Sequence, residues 1–159
     1  MRKSPKAISL LLTLVLALTL LAIPRHADAA NASSLEMQML SLVNEDRARY
    51  GLPPLILDPT LSAIARIKAE DMLNNGYFAH KSPTYGNMKN MLKQFGVSYA
   101  GASENIARSR SIYHAEAAFL SSSTGHRQAL LGKSWTHIGI GVAVTEAGFV
   151  YVSQVFVRY

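Results

Sequence analysis

Three side chains could carry out acid–base or metal chemistry, although they lie in separate segments of the chain: His80, Glu104 and His126. Two imidazoles and one carboxylate are a ligand set that Zn²⁺ uses in proteins, and the same groups can transfer protons. Because no local spacing such as i, i+4 fixes their geometry, the residues alone leave several roles open: metal ligation, acid–base work, helix capping, or pairing of buried polar groups.

A fourth polar residue, Gln154, lies in the largely apolar segment at the end of the chain. A buried amide needs hydrogen-bond partners, and we expect His80 and His126 to be among them. No nucleophile accompanies this set, because the chain has no cysteine and because Ser82 has no base near it in sequence other than His80. The candidate site residues are therefore His80, Glu104, His126 and Gln154.

The elements that must position these residues are helices over most of the chain. Apolar residues recur at helical spacing, and the capping box Ser33–Glu36 and the Asp58-Pro59 pair mark the starts of two helices. The first helix ends near Gly51 and the second at Asn74-Asn75-Gly76. Shorter helices are predicted at 87–95, 112–121 and 123–132.

Two strands are predicted near the C-terminus, because the apolar period changes there. From Ile138 to Val144, large apolar residues alternate with small ones. A turn at 146–148 leads into 149–159, which is apolar on both faces, as in a strand that is covered on both sides. The small residues on one face of the first strand would let a helix approach closely. The pattern therefore predicts an α+β fold with helices on both sides of a small sheet.

Short motifs in a fixed order give the chain a resemblance to a known family. The segment 42–55 is similar to the opening pattern LVNxxRxxxGLxPL, and His80-Lys81-Ser82-Pro83 resembles the motif HxSP. Residues 103–107 resemble GENIA with serine in place of glycine, and 125–127 match GHR. Residues 138–141 and 154–156 are similar to IGVG and QxF. Together these motifs resemble the CAP superfamily, or SCP domain, which includes plant pathogenesis-related proteins and venom allergens.

The resemblance implies a three-layer α-β-α sandwich, in agreement with the layers expected from the strand pattern. In many members of the family, two histidines and two glutamates line a central cleft that can hold zinc. His80, Glu104 and His126 match three of these four, whereas Ser122 stands at the position of the second glutamate. The resemblance therefore implies only weak Zn²⁺ binding by His80, Glu104 and His126. Glu116, on the predicted helix that ends just before Ser122, is not expected to replace the missing carboxylate.

The segment 1–29 has the three parts of an export signal. Basic residues at positions 2, 3 and 6 precede the apolar run 7–23, and Ala27-Asp28-Ala29 supplies the small residues that a signal peptidase reads. We predict a signal peptide over 1–29, a short polar lead over 30–36, and a CAP/SCP domain over 37–159. The alternative is a signal anchor, but the apolar run is shorter than the about 20 residues usual for a membrane span.

Composition excludes several classes of function. Beyond residue 29 the chain has twelve basic and nine acidic residues, a net charge of +3, and the basic residues are not clustered. We therefore expect no nucleic-acid partner, and no stable membrane span after signal cleavage. The segment 30–159 is long enough to bury a core without disulfides. The lack of cysteine also excludes thiol catalysis and thiolate metal sites.

Three functions stay open. We favour a secreted protein, extracellular or cell-wall associated, that binds an extracellular ligand or cell-envelope component through the cleft of His80, Glu104 and His126. One alternative is a zinc-dependent hydrolase or peptidase in which Glu104 activates a metal-bound water. The other is a lipid- or sterol-binding protein, as the resemblance to some relatives allows. Binding is preferred to catalysis because the set lacks a nucleophile and one of the family's carboxylates.

Overall fold

The computed structural model describes residues 25–159, with side chains from residue 32 onward. Most of the predicted signal peptide, residues 1–24, lies outside the described residues. Asn31–Tyr159 form one compact unit, and no helix in the described range is long and apolar enough to cross a membrane. The elements in chain order are α1 (Arg25–Arg49), β1 (Ile56–Leu57), α2 (Pro59–Asn74), α3 (Met88–Gln94), β2 (Gly101–Ser109), α4 (Ile112–Ser121), α5 (Gly125–Leu130), β3 (His137–Val144) and β4 (Val150–Arg158).

The strands form one four-stranded sheet with the order β1-β3-β4-β2. Strand β1 pairs with β3 in parallel, whereas β3 and β2 both pair with β4 in the antiparallel sense. Strand β4 therefore lies inside the sheet, and β2 lies at its edge. The register places Glu104 opposite Val155 and Asn105 opposite Gln154. Val155 is in turn opposite Gly139.

The helices cover both faces of this sheet. Successive side chains of a strand point to opposite faces, so each strand contributes residues to both helix layers. On one face, Val155 and Val157 of β4 pack with Leu61 and Ile64 of α2 and with Leu92 of α3. These residues are all buried. The same alternation puts Glu104 on this face, which we call the α2 face.

The opposite face carries the larger apolar cluster. Ile140 and Phe156 of the sheet pack there with Met39 of α1, Phe119 of α4 and Leu130 of α5. Because Asn105 and Gln154 alternate with residues of the α2 face, they belong to this second face, which we call the α4 face. The result is a three-layer α-β-α sandwich, and the predicted fold class is confirmed.

Two glycines allow α2 to lie close against the sheet. A Cβ atom at Gly139 would overlap the backbone of Leu61, and one at Gly141 would overlap the backbone of Ala65. Both glycines occupy positions of β3 that face α2. The prediction that small residues on this strand admit a helix is confirmed.

The predicted start of the second helix is correct, and that of the first is wrong. The Leu61 amide donates to the Asp58 carboxylate at 2.9 Å, so Asp58 caps α2. In contrast, α1 is helical through both Ser33 and Glu36, so these residues do not form a capping box at a helix start. Glu36 is buried and instead accepts two hydrogen bonds from Arg66, at 2.9 and 2.6 Å.

The sheet is wider than the sequence pattern indicates. The alternation of apolar residues predicts only β3 and β4, whereas β1 and β2 complete the sheet. Strand β2 has no clear alternation, because the polar residues Glu104 and Asn105 follow one another at its centre. Both side chains are nevertheless buried, Glu104 on the α2 face and Asn105 on the α4 face.

Candidate functional site

The structure joins two of the predicted site residues directly. His80 Nδ1 lies 2.8 Å from Glu104 Oε2. The His80 side chain is 57% exposed, whereas only 6% of the Glu104 side chain is exposed. Within the described residues Nε2 of His80 has no hydrogen-bond partner, so the imidazole is fixed through Nδ1 alone.

The buried carboxylate changes the basicity of this imidazole. The hydrogen bond to Glu104 and the charge of Glu104 raise the pKa of His80, and together they outweigh burial and the nearby Lys68, which both lower it. The protonated ring donates from Nδ1 to Glu104 and can donate from Nε2 to a ligand.

A buried lysine lies beneath the segment that carries His80. The side chain of Lys68 on α2 is almost fully buried, and its ammonium donates to the carbonyls of Ala79 and His80 at 2.7 and 3.0 Å. It also donates to the Tyr77 hydroxyl at 3.2 Å. Burial lowers the pKa of Lys68, although the charges of Glu104 and Asp71 oppose this shift.

Asp71 on α2 is the acceptor at the centre of the same network. It accepts from Ser82 Oγ at 2.6 Å, from Thr84 Oγ1 at 3.1 Å, from Asn75 Nδ2 at 2.7 Å and from the Tyr77 hydroxyl. Burial alone would raise the pKa of Asp71, but these four hydrogen bonds outweigh it and lower the pKa. Burial and the bond to Asp71 raise the pKa of Tyr77 to about 12.

Ser82 is a structural residue of this network. Its hydroxyl donates to Asp71 and accepts from the amides of Thr84 and Tyr85, at 2.9 and 2.8 Å. The side chain is buried. Because its oxygen already accepts from two backbone amides, Ser82 is not placed to act as a nucleophile.

Gln154, the fourth predicted site residue, is fully buried on the α4 face. Its amide donates to Glu116 Oε2 at 2.8 Å and accepts from Asn105 Nδ2 at 3.2 Å. The expectation that a buried Gln154 finds polar partners is therefore correct. Its partners are Glu116 and Asn105, however, and neither imidazole of the predicted cleft.

Glu116 is a buried carboxylate whose role is not evident from its sequence context. Burial raises the pKa of Glu116 to about 7; the bond from Gln154 opposes this shift, and the charge of Asp46 adds to it. The second oxygen, Oε1, has no hydrogen-bond partner among the described residues, and neither has Oδ1 of Asn105. Gln154 is hydrogen-bonded to both Glu116 and Asn105. Each of these two partners of Gln154 therefore has one buried oxygen without a donor.

His126 belongs to the α4 face by its contacts. Its backbone carbonyl accepts from Asn105 Nδ2 at 3.1 Å, and its ring packs against Phe119 with 5.5 Å between ring centres. In the part of the chain that the structure describes, no hydrogen bond joins its imidazole to His80 or Glu104. Glu104 and Asn105 are adjacent on β2 but contact different residues of the predicted site. Glu104 bonds to His80, whereas Asn105 bonds to His126 and Gln154.

The three predicted zinc ligands are not gathered around one point within the described residues. No group of three or more His, Cys, Asp or Glu side chains in the described part of the chain is placed to hold a metal ion. Glu104 and His80 are bonded to each other, and the hydroxyl of Ser122 lies 2.9 Å from that of Thr124 in the turn after α4. The zinc site of His80, Glu104 and His126 stays a prediction, and no step below depends on it.

Two residues of the opening motif have structural roles. Asn44 exchanges two hydrogen bonds with the backbone of Leu55, at 3.2 and 2.8 Å. Arg47 is fully buried and donates to the carbonyls of Pro53, Leu130 and Gly132, at 3.0, 2.9 and 3.0 Å. These contacts tie α1 to the loop before β1 and to the end of α5.

Lys68 and Asp71 were not selected from the sequence, although a signal for both was present. The apolar stripe of α2 includes Leu61, Ala65 and Met72. At a helical repeat of 3.6 residues, Lys68 and Asp71 fall on this same buried stripe. A charged residue at a core position is rarely buried without a partner, so the spacing could have indicated a buried polar network.

Comparison with known proteins agrees with the geometry. Residues 40–156 match the model of the CAP family, described as the cysteine-rich secretory protein family. The chain is 40% identical over 125 residues to the uncharacterized protein YkwD of Bacillus subtilis, covering 79% of this chain and 48% of that protein. It is 39% identical over 107 residues to the uncharacterized membrane protein YlbC of the same species, covering 67% of this chain and 31% of that protein. The chain thus spans less than half the length of either relative.

Solved structures show the same architecture. An extracellular protein containing an SCP domain from Bacillus anthracis superposes with a TM-score of 0.75 at 31% identity, covering 86% of this chain and 44% of that chain. An outer surface protein from Borrelia burgdorferi superposes with a TM-score of 0.70 at 20% identity, covering 86% of this chain and 96% of that chain. The second likeness concerns the fold alone.

Proposed function

The chain belongs to the CAP, or cysteine-rich secretory protein, family, and from this premise we propose that it is a secreted protein that binds an extracellular ligand or cell-envelope component at His80. The observation that carries the proposal is the pairing of an exposed imidazole with a buried carboxylate, His80 with Glu104. The signal-like N-terminus supports secretion, and the SCP-domain relative from Bacillus anthracis is described as extracellular.

The chemistry of the pair favours a ligand with an anionic or carbonyl oxygen. Glu104 occupies Nδ1 of His80, so Nε2 is the atom left for a ligand. Because the pKa of His80 is raised, the ring carries its proton to a higher pH than a free histidine does. A charge-assisted hydrogen bond from Nε2 to a carboxylate or phosphate oxygen is stronger than a neutral one.

Binding is supported over hydrolysis by what surrounds the pair. The hydroxyls of the adjoining network, those of Tyr77, Ser82 and Thr84, are all held by Asp71. A hydrolase at this position would need a metal-bound water, and the described residues do not group three ligands around one point. The pair can therefore hold and orient a ligand without a chemical step.

Titration of small anions tests the proposal. Acetate and inorganic phosphate are added separately to the ¹⁵N-labelled chain from Ala30, and the ring signals of His80 are followed by NMR. We expect saturable shifts of the His80 ring that weaken in Glu104→Gln, and saturable shifts of the backbone amides of Ala79 and Lys81 that vanish in His80→Ala. His114→Ala is the matched control, because His114 is exposed and bonded only within its own helix start, to Ser111.

The same variants extend the test to larger ligands. Co-sedimentation with purified peptidoglycan and with a phosphate-rich wall polymer compares wild type, His80→Ala and His114→Ala. Loss of binding in His80→Ala alone would support the proposal. Equal responses of the two histidine variants, or no response of wild type to either anion and either polymer, would contradict it.

A further inference from the structure

The exposed imidazole of the proposed site lies on a segment without regular secondary structure. Residues 77–85, which we call the His80 segment, connect α2 to the turn before α3 and contain only an isolated bridge between Ser82 and Gly86. A surface segment of this kind is mobile unless its backbone is tied down. An imidazole held within 2.8 Å of a buried carboxylate therefore needs support from elsewhere.

Lys68 supplies support directly at His80. All three protons of its ammonium are used, on the carbonyls of Ala79 and His80 and on the Tyr77 hydroxyl. The two carbonyls flank the His80 α-carbon, so the backbone on both sides of this residue is held. A buried ammonium is costly unless it is fully hydrogen-bonded, and here its partners all come from the His80 segment.

Asp71 holds the same segment at its two ends. It lies three residues after Lys68, on the same side of α2. Its donors within this segment are Tyr77, which precedes His80, and Ser82 and Thr84, which follow it. The two charges therefore attach the His80 segment before, at and after the imidazole.

We infer that Lys68 and Asp71 are the positioning residues of the ligand site: they hold the His80 segment so that Nδ1 meets Glu104 and Nε2 points to the ligand. The inference rests on the proposed function only in assuming that His80 contacts the ligand. Neither residue touches the ligand itself. Both act through the backbone and hydroxyls of the His80 segment.

The hydrogen bond between His80 and Glu104 can be observed without any ligand. In the ¹⁵N-labelled chain from Ala30, a hydrogen-bonded Nδ1–H gives a separate proton signal that exchanges slowly with water. In Lys68→Met we expect exchange faster by about tenfold or more, as for a locally opened segment, or loss of the signal. The control is Lys93→Met, which removes an exposed lysine that forms no hydrogen bond or ion pair among the described residues, and it should leave the signal unchanged.

A second variant keeps the test informative if Lys68→Met does not fold. Tyr77→Phe removes only the hydroxyl that Lys68 and Asp71 share, and it should also speed the exchange at His80, by a smaller factor. Amide signals of β3 and β4 report whether the core is intact. An unchanged Nδ1–H signal in folded Lys68→Met, or in Tyr77→Phe, would overturn the inference.

Acetate titration separates this inference from the proposed function. If the His80 signal depends on Lys68 but wild type binds no anion, the positioning role stands and the proposed function fails. If wild type binds acetate and Lys68→Met binds it equally well with an intact His80–Glu104 bond, the proposed function stands and the positioning role fails. We expect wild type to bind and folded Lys68→Met to bind at least about fivefold more weakly, a loss typical of a removed orienting contact.

Discussion

The two nitrogens of His80 have different surroundings, and this difference determines how the site responds to pH. Nδ1 is bonded to Glu104, whereas Nε2 has no partner among the described residues. Because Glu104 raises the pKa of His80, the stability that this pair contributes is fully present below the ordinary histidine pKa of about 6.5. It is lost as pH rises through the higher pKa of the folded protein. A proton and a metal ion also compete for the imidazole of His80.

Zinc titration tests the ligand set that the sequence predicts. Calorimetry at neutral pH should detect weak binding that is abolished in His80→Ala and in His126→Ala. As the pH is lowered, zinc binding should begin to weaken above about pH 6.5, because His80 holds its proton more tightly than a free histidine does. Ser122→Glu should strengthen binding if the carboxylate can leave the turn where the Ser122 hydroxyl contacts Thr124. Absence of any heat in wild type, or binding unaffected by either histidine variant, would exclude the site.

The carboxyl group of Glu116 should make the protein less stable as pH rises. Its pKa of about 7 in the folded state lies above the ordinary value of 4.5. Between these two pH values the folded state keeps the proton on Glu116, whereas the unfolded state has lost it. The free energy of unfolding should therefore fall across this window, by at most about 1.4 kcal/mol per pH unit and about 3 kcal/mol in total. Urea unfolding from pH 4 to 9 measures the change.

Glu116→Gln isolates this contribution from those of other groups. The variant carries no titrating group there, and its remaining amide oxygen can still accept from Gln154. It should gain stability relative to wild type at pH 8 and show a flatter pH curve. Glu146→Gln, at an exposed turn position, should follow the wild-type curve. Parallel curves for wild type and Glu116→Gln would show that Glu116 ionises normally.

At the scale of elements, the packing of α2 against β3 depends on the absence of two side chains. Gly139→Ala would place a Cβ against the backbone of Leu61, where no flexible side chain can yield. We expect a loss of about 1–3 kcal/mol or more in the free energy of unfolding, as for overpacked cores. Gly125→Ala is the control, since a Cβ there has nothing within 4 Å, and it should be neutral or slightly stabilising. Equal effects of the two variants in urea unfolding would contradict the close approach.

The elements also show where sequence patterns were sufficient. Strands β3 and β4 could be predicted because buried strands must be apolar at fixed spacing, and the glycines of β3 indicated a helix on one side. Strand β2 could not, because an edge strand can hold Glu104 and Asn105 side by side without losing its pairing with β4. The start of α1 was misplaced because Ser33 and Glu36 match a capping box by type. The deciding contact, from Glu36 to Arg66, is distant in sequence.

The site was predictable only in part for the same reason. The identities of His80, Glu104, His126 and Gln154 followed from residue types and from the family resemblance. Which of them meet could not be read from spacing, because it depends on the alternation of β2, which gives Glu104 to one face and Asn105 to the other. The residues that hold His80 in place contact backbone carbonyls and hydroxyls, so their sequence signal was their position on the buried stripe of α2.

At the scale of the whole molecule, the charged groups of the interior link elements that are distant along the chain. Arg47 joins α1 to the end of α5, and Arg66 of α2 joins Glu36 of α1. Both links lie within the compact unit Asn31–Tyr159. Cleavage after Ala29 would remove only the first residues of α1 and would leave these contacts intact. The domain should therefore fold without its N-terminal segment.

Export and cleavage are the last prediction, and they can be measured on the intact chain. Expressed with its N-terminal segment in a bacterial host, the protein should appear outside the cytoplasm. Its intact mass should be that of a chain beginning at Ala30. The small residues at Ala27 and Ala29 are those that a signal peptidase reads, so Ala29→Lys should block cleavage and leave the full-length chain in the membrane fraction. Ala32→Ser, which lies beyond the cleavage position, should be processed like wild type. Full-length wild-type chain in the membrane fraction would instead identify the segment as an anchor, because an uncleaved apolar run stays in the bilayer.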